Sequence, residues 1–506
     1  MRKIGLFFVM AGVLWMAACG GSGGSNTNST VTNVSASCSP STVNSGGTSQ
    51  CSATVSGTGN FNQGVTWSTS AGSITSSGVL TAPAVTANLL VTVTATSTQD
   101  TTKSGTASVT VNPTTAANNV APLVVDSGPT GLSEANIAYT TITVCVPGSV
   151  PPSSNCQDID HVQVDTGSTG LRVVSSVLNV SLPQSRDSSG NPLDECLIFL
   201  DGYVWGPVAT ADIYIAGEKA GSTPIQLTIP DGGSPGVPSS CSSQTTGSNE
   251  GGAVSDLGAN GIIGVGFFQQ DCGPACTTAN GQILDWYYDC PSSGCNATYT
   301  TLQQQVTNPV VLFSSDNNGV LIQLPSVPDG GSPSPTGSLI FGIGTESNNA
   351  LGSAAIYQVP DENSITNNLG DIITTFNGQP YNLSFIDSGS NGLFFLDTSI
   401  TGIPTCSGQS SVWYCPSNSP DDLTATNQGQ NDSQQGTGNA LAVNFSIENA
   451  DNLFQTSNTA WSTLGGPYTP APVQFDWGLP FFFGRNVFVA FDQMSTPVGT
   501  GPYVAY

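Results

Sequence analysis

VQVDTGSTGLRVV (residues 162–174) and LSFIDSGSNGLFFL (residues 383–396) are the two stretches of this 506-residue chain that decide its fold. In each, an apolar run leads into Asp-Thr/Ser-Gly-Ser, and a second apolar run follows. Asp165 and Asp387 hold the same position in the two copies. One copy alone could be an ordinary β-turn, whereas a matched pair so far apart indicates an internal repeat at the scale of a lobe.

A third Asp-Ser-Gly triplet begins at Asp126 but lacks the rest of the pattern. Pro129 stands where the other two copies have Ser, and Ser133-Glu134-Ala135 follow instead of a strand. In a chain this rich in Ser, Thr and Gly, about one such triplet is expected by chance. We therefore interpret Asp126 as part of the segment that leads into the lobe and not as a catalytic residue.

Two carboxyl groups held face to face cannot both ionise easily, so one keeps its proton while the other is charged. Such a pair can activate a water molecule and donate a hydrogen bond to a carbonyl group, without metal, cofactor or His. The chain has a single His, His161, and a formal net charge of −26. This composition argues against His-rich metal sites and, because it repels phosphates, against nucleic acid as a partner.

The N-terminus has the features of an export signal. Arg2 and Lys3 precede an apolar segment, and Met16-Ala17-Ala18-Cys19 form a small-residue cleavage site. The segment is too short to span a membrane as a helix. Residues 1–19 resemble a bacterial lipoprotein signal, which implies a lipid anchor on Cys19. Residues 20–30 are interpreted as a flexible tether.

The cysteine count agrees with export, because removing Cys19 from the 13 cysteines leaves an even number. Neighbours in sequence, together with the one pair left over, give four candidate disulfides: Cys38–Cys51, Cys145–Cys156, Cys406–Cys415 and Cys196–Cys241. Four further cysteines crowd one segment: Cys272, Cys276, Cys290 and Cys295. A zinc site is the alternative for these four, but no His lies nearby, so disulfides are favoured and no metal is expected.

The sequence predicts an all-β protein. Residues 31–113 alternate Val and Thr between Gly/Ser turns, which predicts a small β-sandwich with Trp67 in its core. This unit resembles the bacterial Ig-like repeats of surface proteins, and we expect it to act as a spacer. Residues 114–119 are a linker. Residues 120–506 consist of short apolar runs broken by Gly, Pro, Asn and Asp, without a long amphipathic helix.

The region from about residue 137 to 506 resembles a bilobal, pepsin-like aspartic protease, with lobes of about 120–330 and 331–506. Besides the two Asp loops, four pieces occur in the order of that family: ATADIYIAG (209–217), NGIIGVGF (260–267), GSLIFGIG (337–344) and FDWGLPFFFGRNVFVAFD (475–492). The whole chain resembles a family of uncharacterised bacterial lipoproteins with this layout.

The resemblance implies a role for each residue of the two loops. Asp165 and Asp387 would form the catalytic pair. Thr166 and Ser388 would hold the loops together through their hydroxyls. Ser168 and Ser390 would hydrogen-bond the outer carboxylate oxygens, and Gly167 and Gly389 would be the turn residues.

Three features depart from the pattern of that family. No Tyr falls in register in the flap segment FLDGYVWGPV (199–208), where Tyr203 and Trp205 are the candidates to cover the cleft and Asp201 is unexpected. In GLP (478–480), Pro480 replaces the Gly of the second apolar-apolar-Gly motif. No basic prosegment is visible between Cys19 and the Ig-like unit.

The sequence thus predicts an aspartic endopeptidase of the cell envelope, anchored to the bacterial outer membrane by lipid and acting as a monomer on peptides or unfolded proteins. A non-catalytic pepsin-fold binding or adhesion lipoprotein is the alternative. A glycosidase would also use paired carboxylates but would not explain the matched loops.

Overall fold

The computed structural model describes the following residues: 29–44, 47–83, 85, 88–112, 119–187, 189–199, 202–229, 233, 236–244, 252–278, 284–362, 369–468 and 474–506. The chain divides into two compact units, residues 1–116 and 117–506. The proposed signal, Cys19 and nearly all of the tether and linker lie outside the described residues, as does Asp201.

The N-terminal unit contains eight described strands. Its segments form strands with one apolar face because the Val/Thr alternation places every second side chain on the same face. They are β1 (Thr30–Ser39), β2 (Thr42–Asn44), β3 (Thr48–Thr58), β4 (Val65–Thr69), β5 (Ser73–Ile74), β6 (Val79–Thr81), β7 (Leu89–Ser97) and β8 (Ser104–Asn112). Two four-stranded sheets form, in the orders β1-β3-β6-β5 and β2-β8-β7-β4. Both sheets contribute residues to one buried cluster, against which Trp67 packs.

The C-terminal unit is also built from strands. The first half contains β9 (Val120–Val125), β10 (Ala138–Cys145), β11 (Cys156–Asp165), β12 (Thr169–Val174), β13 (Leu193–Ile198), β14 (Tyr203–Ile215), β15 (Glu218–Thr228), β16 (Gly261–Val265), β17 (Tyr287–Asp289), β18 (Asn296–Thr298) and β19 (Gly319–Gln323). The second half contains β20 (Thr336–Phe341), β21 (Ile356–Gln358), β22 (Ile372–Phe376), β23 (Gln379–Ile386), β24 (Leu393–Phe395), β25 (Asp421–Gln430), β26 (Gly436–Ile447), β27 (Gly465–Gly466), β28 (Phe475–Trp477), β29 (Asn486–Ala490), β30 (Ser495–Thr496), β31 (Gly499–Thr500) and β32 (Tyr503–Ala505).

Helices are few and short in the described part of the chain: α1 (Ser239–Ser242), α2 (Val254–Leu257), α3 (Thr398–Thr401) and α4 (Ala450–Leu453). Single 3-10 turns add to these, among them Leu479–Phe482 directly after β28. Within the described residues, none of the helices has the length and apolar character needed to cross a bilayer. The prediction of an all-β fold is confirmed.

One motif occurs twice and shows that the C-terminal unit has two related halves. In the first half, β11 enters the Asp165 loop and β12 leaves it, and β16 pairs parallel to β11 and antiparallel to β12. In the second half, β23 enters the Asp387 loop and β24 leaves it, and β28 pairs parallel to β23 and antiparallel to β24. The bilobal arrangement is therefore present in the strand pairing itself.

Strand β9 connects the two halves of the C-terminal unit. It pairs with β10 of the first half on one side and with β20 of the second half on the other, within a 15-stranded sheet. A single buried cluster contains residues that flank both Asp loops: Val164 and Ile263 from the first half, and Ile386 and Trp477 from the second. Both loops are thus supported by one core.

Among the described residues, one disulfide lies within the N-terminal unit and five lie within the C-terminal unit. The four predicted pairs are present: Cys38–Cys51, Cys145–Cys156, Cys196–Cys241 and Cys406–Cys415. The crowded four cysteines form Cys272–Cys276 and Cys290–Cys295, so their sulfurs are used in disulfides and the zinc alternative is wrong. Multiple disulfides indicate an extracytoplasmic protein.

Disulfide removal should destabilise the protein according to the length of the loop that each bond closes. Cys196–Cys241 closes 45 residues and Cys290–Cys295 only five. From chain entropy, the double Ala variants should lose about 4 and about 2 kcal/mol of unfolding free energy, respectively. Denaturant unfolding of both variants beside the wild type measures this. Equal losses, or a larger loss for the short loop, would contradict the prediction.

Candidate active site

The ends of β11 and β23 bring Asp165 and Asp387 together. Asp165 is buried, at 6% exposed, whereas Asp387 keeps some exposed surface. The backbone N–H of Gly167 donates to Asp165 Oδ1 at 2.8 Å and to Asp387 Oδ1 at 3.1 Å. One amide therefore contacts both carboxyl groups, and the side chains of the two Asp residues are themselves within hydrogen-bonding reach of each other.

The residues after each Asp tie the two loops together reciprocally. Ser388 N–H donates to Thr166 Oγ1 (2.9 Å), and Thr166 N–H donates to Ser388 Oγ (3.1 Å). Each hydroxyl then donates to the backbone of the opposite strand: Thr166 Oγ1 to the carbonyl of Ile386 (3.1 Å) and Ser388 Oγ to the carbonyl of Val164 (2.7 Å). All four bonds are buried, so the separation between the loops is fixed.

The outer carboxylate oxygens are held by serines. Ser168 Oγ donates to Asp165 Oδ2, and Ser390 Oγ donates to Asp387 Oδ2 at 2.9 Å. Gly389 N–H also donates to Asp387 Oδ1 at 2.7 Å. Each carboxyl group is thus oriented by one amide of its own loop and one hydroxyl, which is the arrangement that the resemblance implies.

Both turn glycines face the opposite carboxyl group. A Cβ added at Gly167 would lie 2.6 Å from Asp387 Cγ, and one added at Gly389 would lie 2.5 Å from Asp165 Oδ1. These separations are well inside van der Waals contact. Glycine is therefore required at both positions because the opposite carboxyl group occupies the space of a side chain.

The electrostatics of the pair favour a shared proton. Loss of water around the carboxyl group raises the pKa of Asp387 well above its usual value, and the negative charge of Asp165 raises it further. The amide of Gly389 opposes this shift by stabilising the carboxylate. Two such coupled groups titrate as one unit, and the singly protonated form is stable over a range of pH.

The structure corrects the position of the second apolar-apolar-Gly motif. In the first half, Asp165 pairs with Gly264; in the second half, Ile386 pairs with Trp477, so Gly478 lies opposite Asp387. A Cβ at Gly478 would meet Ser390 O at 2.6 Å. The motif is therefore Asp476-Trp477-Gly478 and not GLP, and the predicted departure at Pro480 was wrong.

Asp476 is the site residue that the sequence analysis missed. It occupies the place that Ile262 holds in the first half, and it is 2% exposed. The signal was present in the sequence, since setting the two motifs on their glycines puts an acid where an apolar residue is expected.

Asp126 belongs to a turn at the end of β9. Its Oδ1 accepts from Gly128 N–H at 2.9 Å and lies 3.5 Å from His161 Nε2. His161 Nδ1 lies 3.0 Å from Asp160 Oδ2. These contacts agree with the interpretation of Asp126 as a lead-in residue and place the single imidazole of the chain between the side chains of Asp126 and Asp160.

The two flap candidates lie in the β13–β14 hairpin, which has its tip between residues 198 and 203. Tyr203 and Trp205 are 7% and 1% exposed and belong to a buried cluster with Tyr288 and the Cys196–Cys241 disulfide. Trp205 packs edge-to-face on Tyr288, with ring centroids 5.1 Å apart. Both side chains are thus buried against residues from other parts of the chain, and the prediction that they cover a substrate stays a prediction.

Comparison with known proteins places most of the chain in one family. A family model described as "Protein of unknown function (DUF3443)" matches residues 115–506. The chain belongs to this family. No curated protein matches it. Among solved structures, the crystal structure of aspartic proteinase from Irpex lacteus is similar, with 14% sequence identity and a TM-score of 0.43, over 76% of this chain and 96% of that chain.

Substitution of Gly389 by Ala should disturb the pair directly. Because the new Cβ would overlap the carboxyl group of Asp165, we expect a loss of about 1–3 kcal/mol in unfolding free energy. Gly330→Ala is the matched control, since Gly330 is exposed and no heavy atom lies within 4 Å of an added Cβ there. Denaturant unfolding of both variants tests this, and equal stability of the two would contradict the described contact.

Proposed function

We propose that the protein is an aspartic-type endopeptidase of the cell envelope that hydrolyses peptide bonds with Asp165 and Asp387. The observation that carries the proposal is the Gly167 amide, which donates to both carboxyl groups at 2.8 and 3.1 Å. A turn that served only its own loop would not need a glycine on each side to admit the opposite carboxyl group.

The reaction would begin with one proton on the pair. Asp387, whose pKa is raised by burial and by Asp165, holds this proton, and Asp165 is the base. Asp165 takes a proton from a water molecule as the water oxygen attacks the peptide carbonyl carbon. Asp387 gives its proton to the carbonyl oxygen, which becomes the second hydroxyl of a tetrahedral intermediate.

The intermediate would collapse by the reverse transfers. Asp165 gives the proton it received to the peptide nitrogen, the C–N bond breaks, and one hydroxyl of the intermediate returns its proton to Asp387. The products are a carboxylic acid and an amine, and the pair regains its single proton. The serine and glycine donors keep the carboxyl groups in place throughout, so little reorganisation is needed.

The substrate would be a peptide or an unfolded protein, because an extended segment exposes its carbonyls to a pair held between two lobes. We further propose that the protein is exported and anchored in the outer membrane through lipid on Cys19, that residues 31–113 act as an Ig-like spacer, and that it works as a monomer. The six disulfides support export.

Activity should depend on pH in a bell-shaped manner. It should fall at low pH, where both carboxyls are protonated and the base is lost, and at high pH, where the last proton leaves. Because the pKa of Asp387 is raised, the high-pH decline should lie above the titration range of an ordinary Asp. Cleavage rates of an unfolded casein-like substrate from about pH 3 to pH 7 measure this profile, and a rate independent of pH would contradict it.

Asp387→Asn should abolish cleavage, with a loss on the order of 10²–10⁴-fold, because an amide cannot pass a proton to the carbonyl oxygen. Asp126→Asn is the matched control, because Asp126 begins the same Asp-Ser-Gly triplet in the wild type but contacts His161 instead of the pair. The control should keep wild-type rates. Both are assayed as purified full-length proteins on the same substrate.

Inhibition of this cleavage by pepstatin would indicate in addition that the cleft binds peptides as pepsin does. A folded wild type that cleaves nothing at any pH would refute the proposal and favour the rival, a pepsin-fold protein that binds peptides or surfaces without hydrolysis. Binding of the unfolded substrate by both the wild type and Asp387→Asn, with no turnover, would be its signature.

A further inference from the structure

Asp476 is a third acid beside the pair, and it is buried. It is the middle residue of β28 and pairs with Phe385, two residues before Asp387. The residues on either side, Phe475 and Trp477, are buried aromatics. In the first half of the unit, the same register position is Ile262, opposite Gln163. An acid at this place is therefore peculiar to the second half and is not required by the motif.

The hydroxyl of Ser390 interacts with both acids. It donates to Asp387 Oδ2 at 2.9 Å and is also within hydrogen-bonding reach of the Asp476 carboxyl. Among the described residues, Asp476 Oδ1 has no hydrogen-bond partner, and Asp476 forms no ion pair. A carboxylate in this position would be buried with little compensation, which strongly disfavours the charged form.

The groups facing Asp476 reinforce this. Burial raises its pKa well above the usual value, and the negative charge of Asp165 raises it further, while the Ser390 hydroxyl has the opposite effect. Asp387 and Tyr468 are the other titratable groups whose charges interact with it. All four facing groups are neutral or negative, so Asp476 is held as a neutral acid over a wide range of pH.

A serine hydroxyl has one proton to donate and can accept as well. If Asp476 were ionised, the carboxyl groups of Asp387 and Asp476 would compete for that single hydroxyl proton. If Asp476 is protonated, it can donate to the Ser390 oxygen. The Ser390 hydroxyl then donates its own proton to Asp387 alone. Hydrogen bonds in such a chain strengthen one another.

We propose that Asp476 is a positioning residue: as a neutral acid it donates to Ser390 and so commits the Ser390 hydroxyl to Asp387. The proposal rests on the proposed function, because it concerns how the catalytic carboxyl groups are tuned. No bond is broken and no proton is transferred between Asp476 and substrate. The chain of contacts stabilises the ionised form of Asp387 and therefore lowers the pH at which the pair loses its last proton, which sets the high-pH limb of the activity profile.

The test compares Asp476→Asn with Asp476→Leu in the full-length protein. Asn keeps a donor of the same size and should leave the high-pH limb of the activity profile in place. Leu, an apolar residue like the Ile of the first half, removes the donor and should move that limb upward by about half a pH unit. In a Ser390→Ala background, the same Leu substitution should produce no further shift.

The proposal would be overturned if neither variant shifted the limb relative to the wild type, or if both variants shifted it by the same amount. If Asp476 had a merely structural role, the Leu variant would have altered rates but an unshifted limb. The Asn and Leu variants would then have the same pH dependence.

A second measurement does not depend on turnover and also covers a Leu variant that fails to fold. A folded pKa above the unfolded value stabilises the protein at low pH, and this contribution is lost as pH rises through the folded pKa. The unfolding free energy of Asp476→Asn relative to wild type should therefore increase from about pH 4 upward. A difference that does not change with pH would refute the neutral acid even if the wild type is an active peptidase. An inactive wild type with a rising difference would refute only the proposed function.

Discussion

Two carboxyl groups facing each other impose the constraint on which the rest of the C-terminal unit depends. Like charges at such close range repel, and burial removes the water that would screen them. The arrangement is stable only if one proton is retained and if donors satisfy the oxygens that remain charged. The amide of Gly167, shared by both side chains, and the serine hydroxyl on each outer oxygen meet that requirement.

The loops cannot hold this geometry alone, so the wider fold fixes it. The reciprocal bonds between Thr166 and Ser388 set the distance between the loops. Each loop then rests on a strand inserted between its two arms, β16 in one half and β28 in the other. Strand β9 joins the halves through continuous pairing. Local turn chemistry, strand register and the shared core thus all act on the same pair of side chains.

Much of this could be predicted from the sequence, because the information was local or repeated. The Asp165 and Asp387 loops were recognised from their matched patterns, and four disulfides followed from neighbouring cysteines and from the pair left over. The pairing of β23 with β28 could not be predicted in the same way, since it joins segments about 90 residues apart, and register is set by tertiary packing. The motif was consequently placed two residues late, and Asp476 was missed. Tyr203 and Trp205 were predicted from their position in a flap, but their burial depends on Tyr288, which is distant in sequence, and on the Cys196–Cys241 disulfide.

The central claim is that Asp165 and Asp387 share one proton, and infrared spectroscopy of protonated carboxyl groups tests it most directly. The spectrum of Asp387→Asn is subtracted from that of the wild type at a series of pH values, so that other buried acids cancel. The account predicts a protonated carboxyl band in the difference spectrum well above pH 4, where a free Asp is ionised, because the pKa of Asp387 is raised by burial and by Asp165. A difference spectrum that contains only a carboxylate band at that pH would contradict the shared proton and with it the proposed chemistry.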